Sequence, residues 1–211
     1  MSLTEEILAL KTAAMGQIPA EKLDVMLSCT NELQEQKISE KALKKGDKLP
    51  AFKLSDATGK EVSSADLLAK GGIVLSFYRG GWCPYCNLEL KALQNALSEI
   101  NAKGYELVAI TPETPDNSLS TQEKNELKFS VLSDIDNKYA KEAGLVFQMQ
   151  EDLRAIYHEF GLDIPKYNGN QDYELPMPAT YVVNAEGEII YSFVAEDYSE
   201  RADPVDVLKA L

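Results

Sequence analysis

Two cysteines three positions apart carry the strongest chemical signal in this chain of 211 residues. Cys83 and Cys86 end the run Phe-Tyr-Arg-Gly-Gly-Trp-Cys-Pro-Tyr-Cys at residues 77–86. Two thiols one helical turn apart can exchange between a dithiol and a disulfide, and the pair then stores two electrons. The spacing therefore predicts thiol redox chemistry at this point of the chain.

The segments around the pair predict how it is positioned. Residues 72–78 form an apolar, β-branched and aromatic run that is typical of a buried strand. Apolar residues recur at helical spacing after Cys86 until Gly104 supplies a stop signal. Pro84 suits the first position of that helix, because its fixed φ fits there and its missing N–H is not needed. Cys83 is therefore predicted at the N-cap.

A sulfur at a helix N-terminus faces free backbone N–H groups and the positive end of the helix dipole, and both favour the thiolate. An unperturbed thiol has a pKa of about 8.5. We expect a lower pKa and greater exposure for Cys83, which makes it the sulfur that attacks disulfides, and we expect a shielded Cys86 to resolve. Arg79 is a candidate for steadying the thiolate, and Trp82 is a candidate for shielding the sulfur and contacting a partner.

Other roles for the cysteine spacing fit less well. A zinc site needs about four ligands, and the chain offers only one further cysteine, Cys29, and one histidine, His158. We therefore expect neither a metal nor another cofactor. Cys29 on a helical stripe is predicted to be a core residue rather than a resolving thiol, and His158 to be solvated or packed. Glu113, after a predicted strand end, is a candidate proton acceptor.

Several segments resemble the alkyl hydroperoxide reductase and thiol-specific antioxidant family, in particular its peroxiredoxin-like branch with a thioredoxin-type cysteine pair. Besides residues 77–86, the similar segments are Gly-Asp-Lys-Leu-Pro-Ala-Phe-Lys-Leu at 46–54, Leu-Ser-Asp at 132–134, Leu-Pro-Met-Pro-Ala-Thr-Tyr-Val-Val at 175–183 and Asp-Tyr-Ser-Glu-Arg at 197–201. The resemblance covers about residues 45–211. It implies a thioredoxin-like fold and thiol-dependent peroxide or disulfide chemistry.

The chain departs from the ordinary family pattern at two places. The family motif Pro-x-x-x-Thr-x-x-Cys, laid on this sequence, puts Arg79 at the proline, Cys83 at the threonine and Cys86 at the peroxide-reactive cysteine. Pro178 stands where a family arginine usually precedes a strand. A proline there is the thioredoxin arrangement, so the resemblance predicts a cis Met177–Pro178 bond that faces the cysteine pair.

The remaining chain predicts an α/β protein. Residues 2–42 read as two amphipathic helices separated near residues 16–19, a hairpin that docks on the redox domain or on a second copy of the chain in a homodimer. Strand and helix patterns alternate after residue 49, which favours a sheet covered by helices. With the resemblance, we predict a thioredoxin-like, peroxiredoxin-type central sheet with helices on both faces. We divide the chain into an N-terminal helical extension, 1–44, and a redox domain, 45–211.

Composition narrows the partners. The net charge of −13 comes without a basic cluster, which argues against nucleic acid and anionic membranes as partners. No apolar run approaches the roughly 18 residues that a membrane span needs, and the first ten residues do not resemble a targeting signal. A reducing cytoplasm is the expected location, and it suits a cysteine pair that a reductant keeps ready.

Three functions are compatible with these features. The first is a thiol-dependent peroxidase in which a hydroperoxide oxidises one cysteine, the other condenses with it, and a dithiol such as thioredoxin reduces the disulfide. The second is a thioredoxin-like disulfide reductase, and the third is a redox-sensing interaction protein. The peroxide-reactive sulfur is open: the family motif points to Cys86, and thiolate availability points to Cys83.

Overall fold

The computed structural model describes residues 2–211. Within that range the strands of one mixed sheet are β1 Lys53–Asp56, β2 Glu61–Ser63, β3 Gly72–Phe77, β4 Tyr105–Thr111, β5 Ser130–Ser133, β8 Ala179–Val183 and β9 Ile189–Val194; β6 Val146–Gln148 and β7 Glu174–Pro176 form a separate ladder. The strand order in the mixed sheet is β2-β1-β5-β4-β3-β8-β9. Strands β3, β4 and β5 run parallel, and the outer pairs are antiparallel.

The helices cover both faces of the main sheet. They are α1 Leu3–Met15, α2 Ala20–Glu35, α3 Ser64–Leu68, α4 Pro84–Ala102, α5 Pro115–Lys124, α6 Lys138–Glu142, α7 Glu151–Glu159, α8 Ile164–Asn168 and α9 Pro204–Ala210. Two short 3₁₀ segments lie at Ile38–Lys41 and Ile135–Asn137. Among the described residues, no helix is both long enough and apolar enough to cross a membrane.

The central strand β3 explains why both faces are covered. All its residues are buried, and successive side chains alternate between two cores. Val74 joins the core beneath α1, α4 and α9, whereas Ile73 and Leu75 join the core on the opposite face, with residues of α3 and α6. The strand predicted at residues 72–78 is thus confirmed, and so is the predicted sheet with helices on both faces.

The two N-terminal helices pack on different parts of the remaining chain. Helix α1 begins with a capping box between Ser2 and Glu5, and it lies against α4. Helix α2 lies against α7, where Cys29 is buried in a small apolar cluster. The predicted break near residues 16–19 is confirmed. The division of the chain at residue 44 stays a prediction.

The predicted cis bond is wrong. Among the described residues no peptide bond is cis, so Met177–Pro178 is trans. The bond joins two paired strands along an extended path: the Met177 N–H donates to the Leu145 oxygen over 2.8 Å, and the Pro178 oxygen accepts from the Ala195 N–H at 3.4 Å. A straight connection from β7 into β8 uses the trans geometry that most prolines adopt. The short strands β2, β6 and β7 and helix α8 were not predicted from the sequence.

Candidate active site at the cysteine pair

The loop between β3 and α4 places both sulfurs. Cys83 is the N-cap of α4 and Pro84 its first residue, as predicted. The two glycines before it allow close packing, because a Cβ at Gly80 would lie 2.1 Å from the indole nitrogen of Trp82, and a Cβ at Gly81 would lie 1.9 Å from a threonine hydroxyl. The strand end, the glycine turn and the helix start together fix the pair.

Both sulfurs are buried free thiols. Cys83 is 1% exposed and Cys86 is 0% exposed. The expectation that Cys83 is the more exposed sulfur is therefore not met. The sequence placed Cys83 at an open helix end, whereas in the structure residues of α1 and α2 line a cavity together with Cys83. Any reactant must enter the space beneath those helices.

The pKa values of the two thiols are shifted in opposite directions. Burial by itself raises the pKa of Cys83, but a hydrogen bond from Cys86 and the nearby charges of Arg79 and Arg201 outweigh it and lower the pKa. The pKa of Cys86 is raised well above that of an ordinary thiol, first by burial and then by its bond to the neighbouring sulfur. The arrangement favours a thiolate on Cys83 and a proton on Cys86, as the helix-end argument predicted.

Arg79 is buried, at 2% exposure, although an arginine at a strand end is commonly exposed. Its guanidinium carbon lies 4.4 Å from the ring centre of Tyr198 and 5.0 Å from that of Trp82. One terminal nitrogen donates to the Tyr157 hydroxyl over 2.7 Å. Among the described residues it forms no salt bridge, and its Nε–H has no hydrogen-bond partner. Its charge is therefore free to act on Cys83.

Cys86 faces a polar network that the sequence analysis did not identify. The guanidinium of Arg201 donates to the Cys86 sulfur over 3.2 Å and to the Glu89 carboxylate over 2.7 Å. Thr180 donates to the same carboxylate over 3.2 Å. The side chains of Arg201 and Glu89 are each 1% exposed. Burial raises the pKa of Glu89 to about 7, against the lowering effect of Arg201.

A signal for this network exists in the sequence. Glu89 stands three residues after Cys86, on the helical face that also carries Leu90 and Leu93, where an acidic residue is out of place. Arg201 lies in the segment 197–201 that resembles the family, yet nothing local connects it with Cys86, 115 residues earlier. The pattern therefore pointed to a buried acid but not to its partner.

Glu113 lies under the loop that carries the pair. It is 1% exposed, and its carboxylate accepts the Gly81 N–H over 2.9 Å. Burial raises its pKa to about 7, and the hydrogen bond from the Gly81 N–H opposes that rise. The carboxyl group predicted as a proton acceptor is thus close to the site, where it supports the loop backbone.

The other predicted residues are divided between the site and its surroundings. Trp82 packs edge-on against Tyr157 at 5.8 Å between ring centres. Pro178 is buried beside the end of β3, since β8 pairs with that strand immediately afterwards. His158 is exposed on α7, and Cys29 belongs to a different apolar cluster from the pair. Neither contributes to the site.

An apolar cavity of about 240 Å³ lies between the cysteine pair and the N-terminal helices. Cys83, Arg79 and Trp82 are in its wall opposite the helices, whereas Cys86 is not. Among residues 2–211, no three histidine, cysteine or acidic side chains gather in a way that could hold a metal ion. The groups that the structure brings together around the pair are the two arginines and the carboxyl groups of Glu89 and Glu113.

Known proteins share both sequence and fold with this chain. The profile of the AhpC/TSA family matches residues 45–192. The putative peroxiredoxin bcp of Haemophilus influenzae is 32% identical over 100 residues, which cover 47% of this chain and 64% of that protein. Peroxiredoxin Bcp of Escherichia coli is 28% identical over 103 residues, covering 49% and 65%. The matched segment thus spans less than two thirds of these relatives.

Solved structures confirm the predicted fold. Peroxidoxin BcpB from Mycobacterium tuberculosis superposes with a TM-score of 0.63 at 19% identity, covering 80% of this chain and 96% of that one. The reduced 2-Cys peroxiredoxin of Plasmodium vivax gives 0.60 at 17% identity, covering 79% and 93%. The thioredoxin-like, peroxiredoxin-type sheet is therefore shared at low sequence identity.

Proposed function

Because the chain belongs to the AhpC/TSA family, we propose that it is a peroxiredoxin-like thiol peroxidase that reduces hydroperoxides through Cys83 and Cys86. The observation that carries the proposal is the pair of adjacent buried sulfurs with opposite pKa shifts. A low-pKa thiolate is the nucleophile that peroxide reduction requires, and a neighbouring thiol can then form the disulfide.

In the first step, the Cys83 thiolate attacks the terminal oxygen of a hydroperoxide. A sulfur–oxygen bond forms as the oxygen–oxygen bond breaks, the sulfur is oxidised by two electrons, and the alkoxide or hydroxide that leaves takes up a proton. The nearby guanidinium of Arg79 stabilises the negative charge as it moves from sulfur to oxygen. We assign the attack to Cys83, because it has the lowered pKa and faces the cavity.

In the second step, Cys86 attacks the sulfenic sulfur of Cys83. The sulfur–sulfur bond forms, hydroxide leaves, and the Cys86 proton departs with it as water. Arg201, 3.2 Å from the Cys86 sulfur, stabilises the negative charge that develops there. An external dithiol of the thioredoxin type then reduces the disulfide and is itself oxidised. A reducing compartment, the cytoplasm in this proposal, supplies that dithiol.

A thioredoxin-like disulfide reductase is the second candidate. The proline between the sulfurs and the helix-end thiolate of Cys83 favour it. The trans bond before Pro178 and the burial of both sulfurs favour the peroxidase, because a protein disulfide needs an open surface beside the attacking thiolate. A hydroperoxide is small enough to enter a covered site.

The deciding experiment compares oxidation and disulfide reduction on the same sample. Trp82, the single tryptophan, adjoins Cys83 and reports its oxidation by fluorescence in a stopped-flow mixer. We expect reduced protein to react with hydroperoxide at least about 10²-fold faster than the double variant Cys83→Ser/Cys86→Ser, and to reduce insulin only slowly. Rapid insulin reduction with slow peroxide oxidation would instead identify the disulfide reductase.

The same experiment tests the assignment of the sulfurs. Trapping with dimedone, a reagent for sulfenic acids, followed by peptide mass spectrometry locates the oxidised residue in each single variant. We expect sulfenic acid on Cys83 in the Cys86→Ser variant. Sulfenic acid on Cys86 in the Cys83→Ser variant, formed at the rate of the unaltered protein, would favour the family motif over thiolate availability.

A further inference from the structure

A half-buried asparagine, Asn87, ties together the loop that carries the cysteine pair. Its side-chain nitrogen donates to the Gly81 oxygen over 2.8 Å and to the Cys83 oxygen over 3.1 Å. Its side-chain oxygen accepts from the side-chain nitrogen of Asn125, at the end of α5, over 2.9 Å. These bonds define the orientation of the amide, because a flipped amide would set its oxygen against two carbonyl oxygens.

The backbone of Gly81 is held at both of its polar groups. Its N–H donates to the Glu113 carboxylate over 2.9 Å, and its oxygen accepts from Asn87. Cys83 is held in a similar way, since its N–H donates to the Gly80 oxygen and its oxygen accepts from the Asn87 main-chain N–H, over 3.1 Å each. The loop between β3 and α4 is thus anchored to the segment after β4 and to α5.

Cys83 needs such an anchor more than Cys86 does. Cys86 lies within α4, where helical hydrogen bonds fix its backbone, whereas Cys83 is the N-cap, with φ −86° and ψ 118°. An N-cap side chain commonly steadies a helix start by accepting a backbone N–H, but the Cys83 side chain forms no such bond. The position of the Cys83 sulfur relative to Cys86 is therefore set by the loop.

Closure of the disulfide is the step that depends most on this position. Two cysteines are joined only when their Cβ atoms are about 3.5–4.5 Å apart, and a misplacement of about 1 Å can slow a reaction between two held groups about 10²-fold. Attack on a small external reagent requires only that the thiolate be reached.

We infer that Asn87 is a positioning residue for the resolving step: it holds Cys83 where Cys86 can close the disulfide. Asn87 acts through the backbone oxygens of Gly81 and Cys83. The inference rests on the proposed roles of the two sulfurs and adds a residue to that function.

Methyl methanethiolsulfonate separates attack from closure without any peroxide. The Cys83 thiolate takes the CH₃S group and methanesulfinate leaves; Cys86 then attacks the Cys83 sulfur, and methanethiol leaves with the Cys86 proton. Trypsin releases both cysteines on one peptide, residues 80–91, apart from Cys29. Mass spectrometry of that peptide in acid-quenched, alkylated samples gives the rate of each step.

We expect Asn87→Ala to slow closure at least about tenfold and to leave attack within about threefold. Asn95→Ala is the matched control, because Asn95 is exposed on the same helix, and it should change neither rate. A change that is only structural would alter both steps together. Equal slowing of the two steps, or closure at the unaltered rate, in Asn87→Ala would overturn the inference.

Asn125→Ala keeps the test open if Asn87→Ala does not fold. It leaves Asn87 in place without the donor to its side-chain oxygen, so closure should slow by about threefold. Circular dichroism and urea unfolding establish that each variant is folded. Closure at the unaltered rate in folded Asn125→Ala would overturn the inference in that case.

Hydrogen peroxide in place of the thiolsulfonate connects the test with the proposed function. In Asn87→Ala the sulfenic acid, trapped with dimedone, should form at nearly the unaltered rate and persist at least about tenfold longer. If peroxide fails to oxidise the unaltered protein while closure after the thiolsulfonate is slowed in Asn87→Ala, the peroxidase proposal is overturned and the positioning role is supported.

Discussion

The two sulfurs of the pair have different surroundings. Cys83 borders the apolar cavity and an arginine that lies among aromatic rings, whereas Cys86 borders a buried polar network of Arg201, Glu89 and Thr180. The sulfurs are three residues apart in one helical turn. Their opposite pKa shifts therefore depend on what each side of the helix start packs against, in addition to the helix itself.

The two arginines show how this difference arises. Arg201 shares its charge between Cys86 and the Glu89 carboxylate, so only part of its charge remains for a thiolate. Arg79 contacts a phenol and aromatic ring faces and, among the described residues, forms no ion pair with a carboxylate. A cation without a carboxylate partner in a buried site is the stronger stabiliser of an anion. The position of one carboxylate thus helps to decide which sulfur ionises.

Removal of each sulfur should give the largest effects and separate the two sides. Cys83→Ser is expected to reduce peroxide turnover by about 10³-fold or more, since the activated nucleophile is lost. Cys86→Ser is expected to keep the first oxidation within a few-fold and to lose the dithiol-dependent second turnover. Single-turnover and multiple-turnover stopped-flow measurements on the two variants check this.

Cys29→Ser serves as the control for those variants, because it removes a thiol that lies in a different cluster. It should change neither phase. If Cys86→Ser lost the first oxidation as completely as Cys83→Ser, the proposed division between an attacking and a resolving sulfur would be wrong.

The Arg201 network should contribute the next largest effect, this time on stability. Arg201→Met leaves Glu89 buried without its cation, and breaking such a pair costs about 3 kcal/mol, at the lower end because Glu89 can take up a proton. Arg201→Met combined with Glu89→Leu should cost less than the sum of the single changes, since neither charge is left alone. Urea unfolding of the four proteins measures the coupling.

Additive losses in that cycle would contradict the view that the network is one unit. Arg201 and Glu89 would then contribute to stability independently of each other.

The sequence predicted the part of the site that is local. Pro84 and the two glycines determine the helix start, so the N-cap position of Cys83 followed from neighbouring residues. Arg201 reaches Cys86 from 115 residues away, and no spacing rule connects them. The prediction of an exposed Cys83 failed for the same reason, because Cys83 is buried in a core cluster that includes residues far from it in the sequence, such as Leu3 and Val207.

The fold was predicted well where strands are long and buried. Strands β3, β4 and β8 carry continuous apolar runs, whereas β6 and β7 have three residues each and no comparable pattern. The cis Met177–Pro178 prediction relied on a resemblance to thioredoxin at one residue. The ladder that β7 forms with β6 leads directly into β8, and this non-local pairing sets the extended path at Pro178.

Glu113 supplies a smaller effect, which depends on pH. Its pKa is raised to about 7 in the folded protein, so folding favours its protonated form. The stability that this preference gives is complete below the unfolded pKa of about 4.3, and it is lost as the pH rises through 7. Between pH 5 and pH 8 the unaltered protein should therefore lose about 2–3 kcal/mol of its free energy of unfolding that the Glu113→Gln variant does not lose.

Thermal or urea unfolding at pH 5, 6, 7 and 8 measures that difference. Glu6→Gln is the control, because it removes a carboxylate that is exposed on α1 rather than buried. A constant gap between Glu113→Gln and the unaltered protein from pH 5 to pH 8 would contradict a raised pKa.

The smallest expected effect tests the comparison between the arginines directly. Arg79→Met should raise the pKa of the Cys83 thiol by about one unit, because the helix end, the Cys86 hydrogen bond and Arg201 still favour the thiolate. Arg79→Lys keeps the charge and should recover most of the change. The pH dependence of iodoacetamide alkylation, read at Cys83 by mass spectrometry, gives each pKa.

The pH dependence of stability separates the charge of Arg79 from its packing. The pKa of Cys83 is depressed in the folded protein, so its ionisation stabilises the fold above the unfolded thiol pKa of about 8.5, and that contribution is lost as the pH falls through the folded value. Arg79→Met should therefore destabilise the protein more at pH 9 than at pH 5, by about 1 kcal/mol. An equal loss at both pH values would mean that Arg79 packs among its aromatic neighbours without setting the charge of the sulfur.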